Sequence, residues 1–112
     1  MTRENDRVRI RHILDAACEA VGFAEVCSRE DLDSDRKLSL SLVRLLEIIG
    51  EAARGVSQEF RESYPELPWA SMAGMRERLI HGYFDVNLDV VWETVREDLP
   101  AVIAELEKIV GE

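Results

Sequence analysis

Arginine, histidine and tyrosine fall within eight positions in the stretch RERLIHGYF, residues 76–84. Each type has a chemistry. A histidine with a free pKa of about 6.5 takes and gives protons near neutral pH. An arginine keeps its charge and forks onto phosphate oxygens. Together, His81 and Arg76 suit cleavage of a phosphodiester without a metal. His81 would help move a 2′-hydroxyl proton while Arg76 holds the charge that develops on phosphorus. Tyr83 adds a hydroxyl that could position a substrate or itself be modified. The same residues have an ordinary structural reading. A histidine at a helix C-terminus is favoured by the dipole, and a tyrosine there is commonly half-buried. Arg76 could pair with Glu77, with Asp85 or with a carboxylate on another helix.

Spacing alone leaves both readings open. On a helix of about 3.6 residues per turn, positions seven apart are nearly aligned and positions five apart lie roughly 140° apart. A straight helix therefore aligns Arg76 with Tyr83 and keeps Arg76 and His81 apart. The two converge if the helix ends near His81, or if a second copy of the chain supplies the partner group. Gly82 permits such an ending, because glycine accepts backbone conformations that other residues avoid.

The elements that must hold this stretch read as long helices. In residues 4 to 21, Ile10, Ile13, Leu14, Ala17 and Val21 recur at steps of three and four, with Gly22 as the expected stop. A short connection with one helical turn follows. A second helix is expected over residues 35 to 56, with Ser34 or Asp33 as its cap. Its broad apolar stripe runs from Leu38 to Val56, wide enough for more than one neighbour. SQEFRESYPELP then reads as the longest irregular connection. Pro68 opens a third helix carrying Trp69, Met72, Met75 and Leu79 or Ile80 toward the core. A fourth helix runs over residues 89 to 110. Its apolar register continues across Pro100, which predicts a kink there. The fold class is all-α, a four- to five-helix up-down bundle in a single domain over residues 1–112. Six glycines and three prolines are too few for the closely spaced turns of a β-sandwich.

Composition narrows function further. With 46% hydrophobic and 33% charged residues, the chain is not disordered. A net charge of −9 argues against a general nucleic-acid coat but leaves room for a local cleft lined by arginine. Cys18 and Cys27 match no metal-ligand spacing, and His12 and His81 do not complete one, so reduced structural thiols and no metal are expected. Trp69 and Trp92 read as core packing rather than base-stacking platforms, and Met72 and Met75 as helix-interface filler. His12 lies in a basic patch, RVRIRH, that reads as a solvated face. The charged opening and the lack of an apolar run of roughly 20 residues point away from a signal or a membrane span, and toward the cytoplasm. The apolar stripe on the second helix and the tryptophan-bearing faces suggest a homodimer.

Arg76-ERLI-His81-Gly82-Tyr83 resembles the R-x4-H-x-Y signature of the HEPN superfamily, and more narrowly of the HepT-like toxins. RLLEIIGEAA at 44–53, PW at 68–69, GMRERLIHGYF at 74–84, VNLDVVWETV and DLP resemble that family in order and spacing. The similarity extends from the first helix to the last. It implies an all-α homodimer, with a higher assembly open, whose two motifs face each other across a cleft. It implies a metal-independent endoribonuclease, without a cofactor, acting as the toxin of a type VII-like toxin–antitoxin pair. The implied partner is a minimal nucleotidyltransferase antitoxin of the MntA type, which silences the toxin by adding AMP to the motif tyrosine. Carried over, Arg76 and His81 are catalytic and Tyr83 is the AMP acceptor. The residue after the arginine, commonly asparagine or aspartate in that family, is Glu77 here. It could still orient His81, four residues on. Glu47 and Glu51, one turn apart on the second helix, are auxiliary candidates that could tune Arg76 or His81 or serve as structural partners for arginines. The alternative is a non-catalytic dimer of the same fold that docks a partner or binds a nucleotide.

Overall fold

The computed structural model describes residues 3–81 and 85–111. Three long helical stretches carry the architecture. They are α1 (Arg3–Glu25), α3 (Arg36–Arg54) and the run from α7 (Leu88–Glu93) through a π turn (Thr94–Asp98) into α8 (Leu99–Val110). The shorter α2 (Asp31–Ser34), α4 (Gln58–Ser63), α5 (Trp69–Ala73) and α6 (Met75–Leu79) connect and flank them. Two-residue strands β1 (Ile80–His81) and β2 (Asp85–Val86) pair antiparallel, with Ile80 opposite Val86 and His81 opposite Asp85. No described helix is long and apolar enough to cross a membrane.

The up-down arrangement is written in the side chains that tie helix ends together. Arg7, early in α1, donates through Nη1 to the Ile109 carbonyl at the end of α8, at 3.4 Å. Arg96, before α8 begins, donates to the Ala24 carbonyl at the end of α1, also at 3.4 Å. So α1 and α8 run antiparallel. Asp6 ties α1 to the segment just beyond α3. Its two carboxylate oxygens accept from the Ser57 backbone N–H at 2.9 Å and the Ser57 hydroxyl at 2.7 Å. Ser57 in turn caps α4, its hydroxyl oxygen accepting from Phe60 N–H at 3.2 Å. Asp6 is only 2% exposed, so these bonds satisfy a carboxylate that burial would otherwise penalise.

The core forms where the helical stripes meet. Ile10, Ile13, Ala17 and Ala20 of α1 face Leu42, Leu46, Ile49 and Ala53 of α3. Leu99, Leu106 and Ile109 of α8, and Met72, Met75 and Leu79 beside them, complete it. Burying one such side chain fully contributes about 1.5–3 kcal/mol. Trp69 is buried with its indole N–H donating to the Tyr64 carbonyl at 2.9 Å. Trp92 is half-buried, with the Arg96 guanidinium 5.4 Å from its ring centroid. Both tryptophans thus act in packing, as expected.

Several boundaries differ from the sequence reading, each for a local reason. The first helix passes through Gly22 to Glu25, because a glycine inside a helix is only a modest penalty that packing overrides. Asp35, rather than Ser34 or Asp33, caps α3, accepting from Leu38 N–H at 3.1 Å. The connection expected to be irregular contains α4, capped by Ser57 and anchored by buried Phe60. The stretch expected as one third helix is broken at Gly74 into α5 and α6. Pro68 stands just before α5, as its cap residue, rather than inside the helix. The disturbance expected at Pro100 takes the form of the π turn that precedes it, where Leu99 N–H donates to the Thr94 carbonyl. Pro100 then occupies the first turn of α8, where a missing N–H costs nothing. Cys18 on α1 is exposed and Cys27 is partly exposed; both are free.

Candidate active site

Residues 76–81 run from α6 into β1. Met75 and Leu79, 3% and 0% exposed, bury one face of α6 and leave Arg76, Glu77 and Arg78 at the surface. The helix stops at Leu79. Ile80 turns to extended backbone with φ −121° and ψ 123°. The Leu79 carbonyl accepts from Asn87 N–H at 2.8 Å, and Asn87 also caps α7, its side chain accepting from Val90 N–H at 3.2 Å. One residue thus closes the ends of two helices at the base of the β1–β2 pair. His81 therefore leaves the helical register of Arg76, and the 140° separation of a straight helix does not apply. Gly82, Tyr83 and Phe84, and the side chain of His81, lie outside the described residues. So the expected roles of the His81 imidazole and of Tyr83 have no geometry here.

The carboxylates around Arg76 divide into pairs. Arg76 Nε lies 3.5 Å from Glu47 Oε2 on α3, with the two side chains 50% and 22% exposed. Among the partners open to Arg76 in the sequence, the structure thus selects a carboxylate of the second long helix rather than Glu77 or Asp85. Glu77 instead accepts from Arg54 Nη2. Arg54 is fixed from the other side, its Nε donating to the Ala73 carbonyl at 2.9 Å. Glu51 is 3.7 Å from Arg44, both on α3 and well exposed. Of the auxiliary candidates, Glu47 alone joins Arg76 in an ion pair. Glu77 is turned to Arg54, since its extra methylene reaches across to α3. Arg54 was missed by sequence reasoning. Its position seven residues after Glu47, on the same face of α3, was the available signal.

The hydrogen bond from Arg54 holds the Glu77 carboxyl below the usual glutamate range. Its own backbone N–H acts the same way, burial opposes, and the charges of Arg54 and Arg76 add further lowering. Among the described residues, no group of three or more His, Cys, Asp or Glu side chains is placed to hold a metal ion. A groove of about 610 Å³ between α5–α6 and α8 is lined by Arg78 and not by Arg76. Residues two positions apart on a helix, such as Arg76 and Arg78, are turned about 200° from one another, so that groove and Arg76 occupy different faces.

The all-α bundle thus presents an arginine on a short helix, with a histidine position just past the helix's end. Comparison with known proteins makes the assignment specific. The family described as "Ribonuclease HepT-like" matches residues 13–109, and the chain belongs to that family. It is 41% identical to a probable ribonuclease HepT of Thermococcus cleftensis, over 86% of this chain and 91% of that protein. It is 42% identical to a protein named as a putative RNase in Caldanaerobacter subterraneus subsp. tengcongensis, over 95% of this chain and 91% of the relative. A protein of Methanocaldococcus jannaschii, also named as a putative RNase, is 34% identical over 98% of this chain and 91% of its own length. No solved structure matches the chain with comparable significance.

Proposed function

We propose that the protein is an endoribonuclease toxin that cleaves RNA by 2′-hydroxyl transesterification without a metal. Membership of the HepT-like family over nearly the whole chain supports the class of substrate. The observation that carries the catalytic reading is the exposed Arg76 on α6, with His81 following directly after the helix end. In the reaction, His81 assists removal of the 2′-hydroxyl proton, and the 2′-oxygen attacks the adjacent phosphorus. Arg76 stabilises the pentacoordinate charge. The 5′-oxygen of the next nucleotide leaves with a proton, and a 2′,3′-cyclic phosphate remains. Two copies bring their motifs together across a cleft, so the active form is a homodimer. In the same reading, a nucleotidyltransferase antitoxin transfers AMP from ATP to the Tyr83 hydroxyl, with release of pyrophosphate. The added phosphate and base would fill the space that substrate needs.

The purified protein is expected to cut RNA in the presence of a chelator, leaving cyclic phosphate ends, with Arg76→Ala and His81→Ala each lowering the rate at least 100-fold. Intact RNA with the wild-type protein would overturn the catalytic reading. Co-expression with a neighbouring nucleotidyltransferase gene should add one or more AMP masses, lost in Tyr83→Phe. A non-catalytic docking or nucleotide-binding dimer is the second reading, favoured by the engagement of Glu77 with Arg54. It requires that His81→Ala change no phenotype.

A further inference from the structure

Two ion pairs of opposite polarity cross from α3 to α6. Glu47 of α3 meets Arg76, and Arg54 of α3 meets Glu77. Glu47 and Arg54 are seven residues apart and so lie on one face of α3. Gly50 sits between them in sequence, packed closely against α5 and α6. A Cβ built there would stand 3.2 Å from the Met72 carbonyl oxygen and 3.3 Å from Met75 Cβ. The backbone of α6 is thus held against a fixed wall, with a charged contact on either side of the close approach.

The Glu47 contact is made to one corner of the guanidinium. Its carboxylate faces Nε, and among the described residues no second carboxylate lies within ion-pair distance of Arg76. The other nearby carboxylate, Glu77, is taken by Arg54, which is itself tied to the Ala73 carbonyl. The two Nη groups of Arg76 form the fork that grips a phosphate in two places. We propose that Glu47 is the positioning residue of the site. Through Nε it orients the Arg76 guanidinium so that the Nη fork is presented to the scissile phosphate. This rests on the ribonuclease reading above and deepens it.

The geometry separates this role from a purely structural one. A half-exposed arginine facing a carboxylate at 3.5 Å adds little to stability. Pre-orientation, by contrast, acts on the reaction, where a small misplacement of a phosphate ligand costs about 100-fold. Glu47→Ala is therefore expected to melt within a few degrees of wild type and to lose on the order of 10- to 100-fold in kcat, with a smaller change in KM. Glu47→Gln keeps an oxygen acceptor and should recover most of that loss. In an Arg76→Ala background, Glu47→Ala should cost nothing further. Wild-type kcat in Glu47→Ala, a raised kcat, or an equal loss in the Arg76→Ala background would each overturn the proposal.

A second readout needs no turnover. The Arg76 Nε–Hε resonance, assigned in arginine-selective 15N spectra by its disappearance in Arg76→Lys, should shift and broaden in Glu47→Ala and remain near its wild-type position in Glu47→Gln. If wild type cleaves no RNA, the ribonuclease reading fails while this signal still reports on the contact. If the resonance is unchanged in Glu47→Ala, the positioning role fails whether or not RNA is cut.

Discussion

At the scale of single residues, the charged groups around the motif sort by reach. Glu77 follows Arg76 in sequence, yet its longer side chain crosses to Arg54, while Arg76 crosses to Glu47. The position was legible in the sequence as a departure from the family pattern, but its partner was not, because side-chain pairing depends on which helix lies opposite. The pairing has a signed consequence for pH. A carboxyl held below its ordinary value in the folded state stabilises the fold above the unfolded value. That contribution is lost as pH falls through the folded value. Because the Glu77 carboxyl is held low by Arg54, Glu77→Gln should lower Tm slightly at neutral pH. The difference from wild type should close in strongly acidic solution, below the usual glutamate range. A gap that widens on acidification would show that Glu77 does not act through Arg54. Asp6 is the residue with more at stake for stability. Asp6→Ala leaves the Ser57 N–H and hydroxyl without their partner in a partly buried setting, and should destabilise by about 1–3 kcal/mol in denaturant titration.

At the scale of elements, the site depends on how α6 is seated. The sequence reading opened a single third helix at Pro68 and left open an ending near His81, whereas the chain breaks at Gly74 and again after Leu79. The apolar spacing of Trp69, Met72, Met75 and Leu79 is compatible with a continuous helix, which is why the pattern concealed the breaks. What ends α6 is a tertiary event. Asn87, eight residues later, donates to the Leu79 carbonyl while its side chain caps α7. No local signal in residues 76–81 carries that information. The seat of α6 against α3 is set by Gly50. Gly50→Val would place branched methyls against the Met72 carbonyl and Met75. It should cost about 1–3 kcal/mol through overpacking. It should also lower RNA cleavage by more than the loss of folded protein explains, since α6 carries Arg76. Equal activity per folded molecule would mean that α6 does not need this seat.

At the scale of the whole molecule, the acid excess is compatible with the proposed phosphate-binding role of Arg76 because charge is distributed unevenly. The chain carries −9 overall, yet the α3–α6 face includes Arg44, Arg54 and Arg76 among Glu47, Glu51 and Glu77. RNA cleavage should therefore weaken as salt rises, through KM more than kcat, with a shallower dependence than a broadly basic surface would give. A rate independent of salt would argue that Arg76 meets no phosphate. Assembly belongs to this scale too. The α3 stripe that suggested a dimer is largely covered within the chain, with Leu42, Leu46, Ile49 and Ala53 fully buried. Val8 and Phe23 on α1 and Leu40 on α3 remain exposed, and Val21, Leu38, Ile48 and Ala52 are partly buried. Light scattering is expected to give twice the mass of the chain, and a single-chain mass would remove the two-motif cleft from the mechanism.

The sequence by itself determined the helical class, the core stripes and the family, because periodicity and ordered motifs are properties of the chain read locally. It also marked Arg76, His81 and Tyr83 as the residues with chemistry to do. Only the tertiary structure decided that α1 and α8 run antiparallel through Arg7 and Arg96, that α6 stops at Leu79, and that Glu47 rather than Glu77 meets Arg76. Those outcomes turn on contacts between residues 29 to 102 positions apart in the chain, or on a cap supplied by the next element. Spacing within one helix cannot encode them.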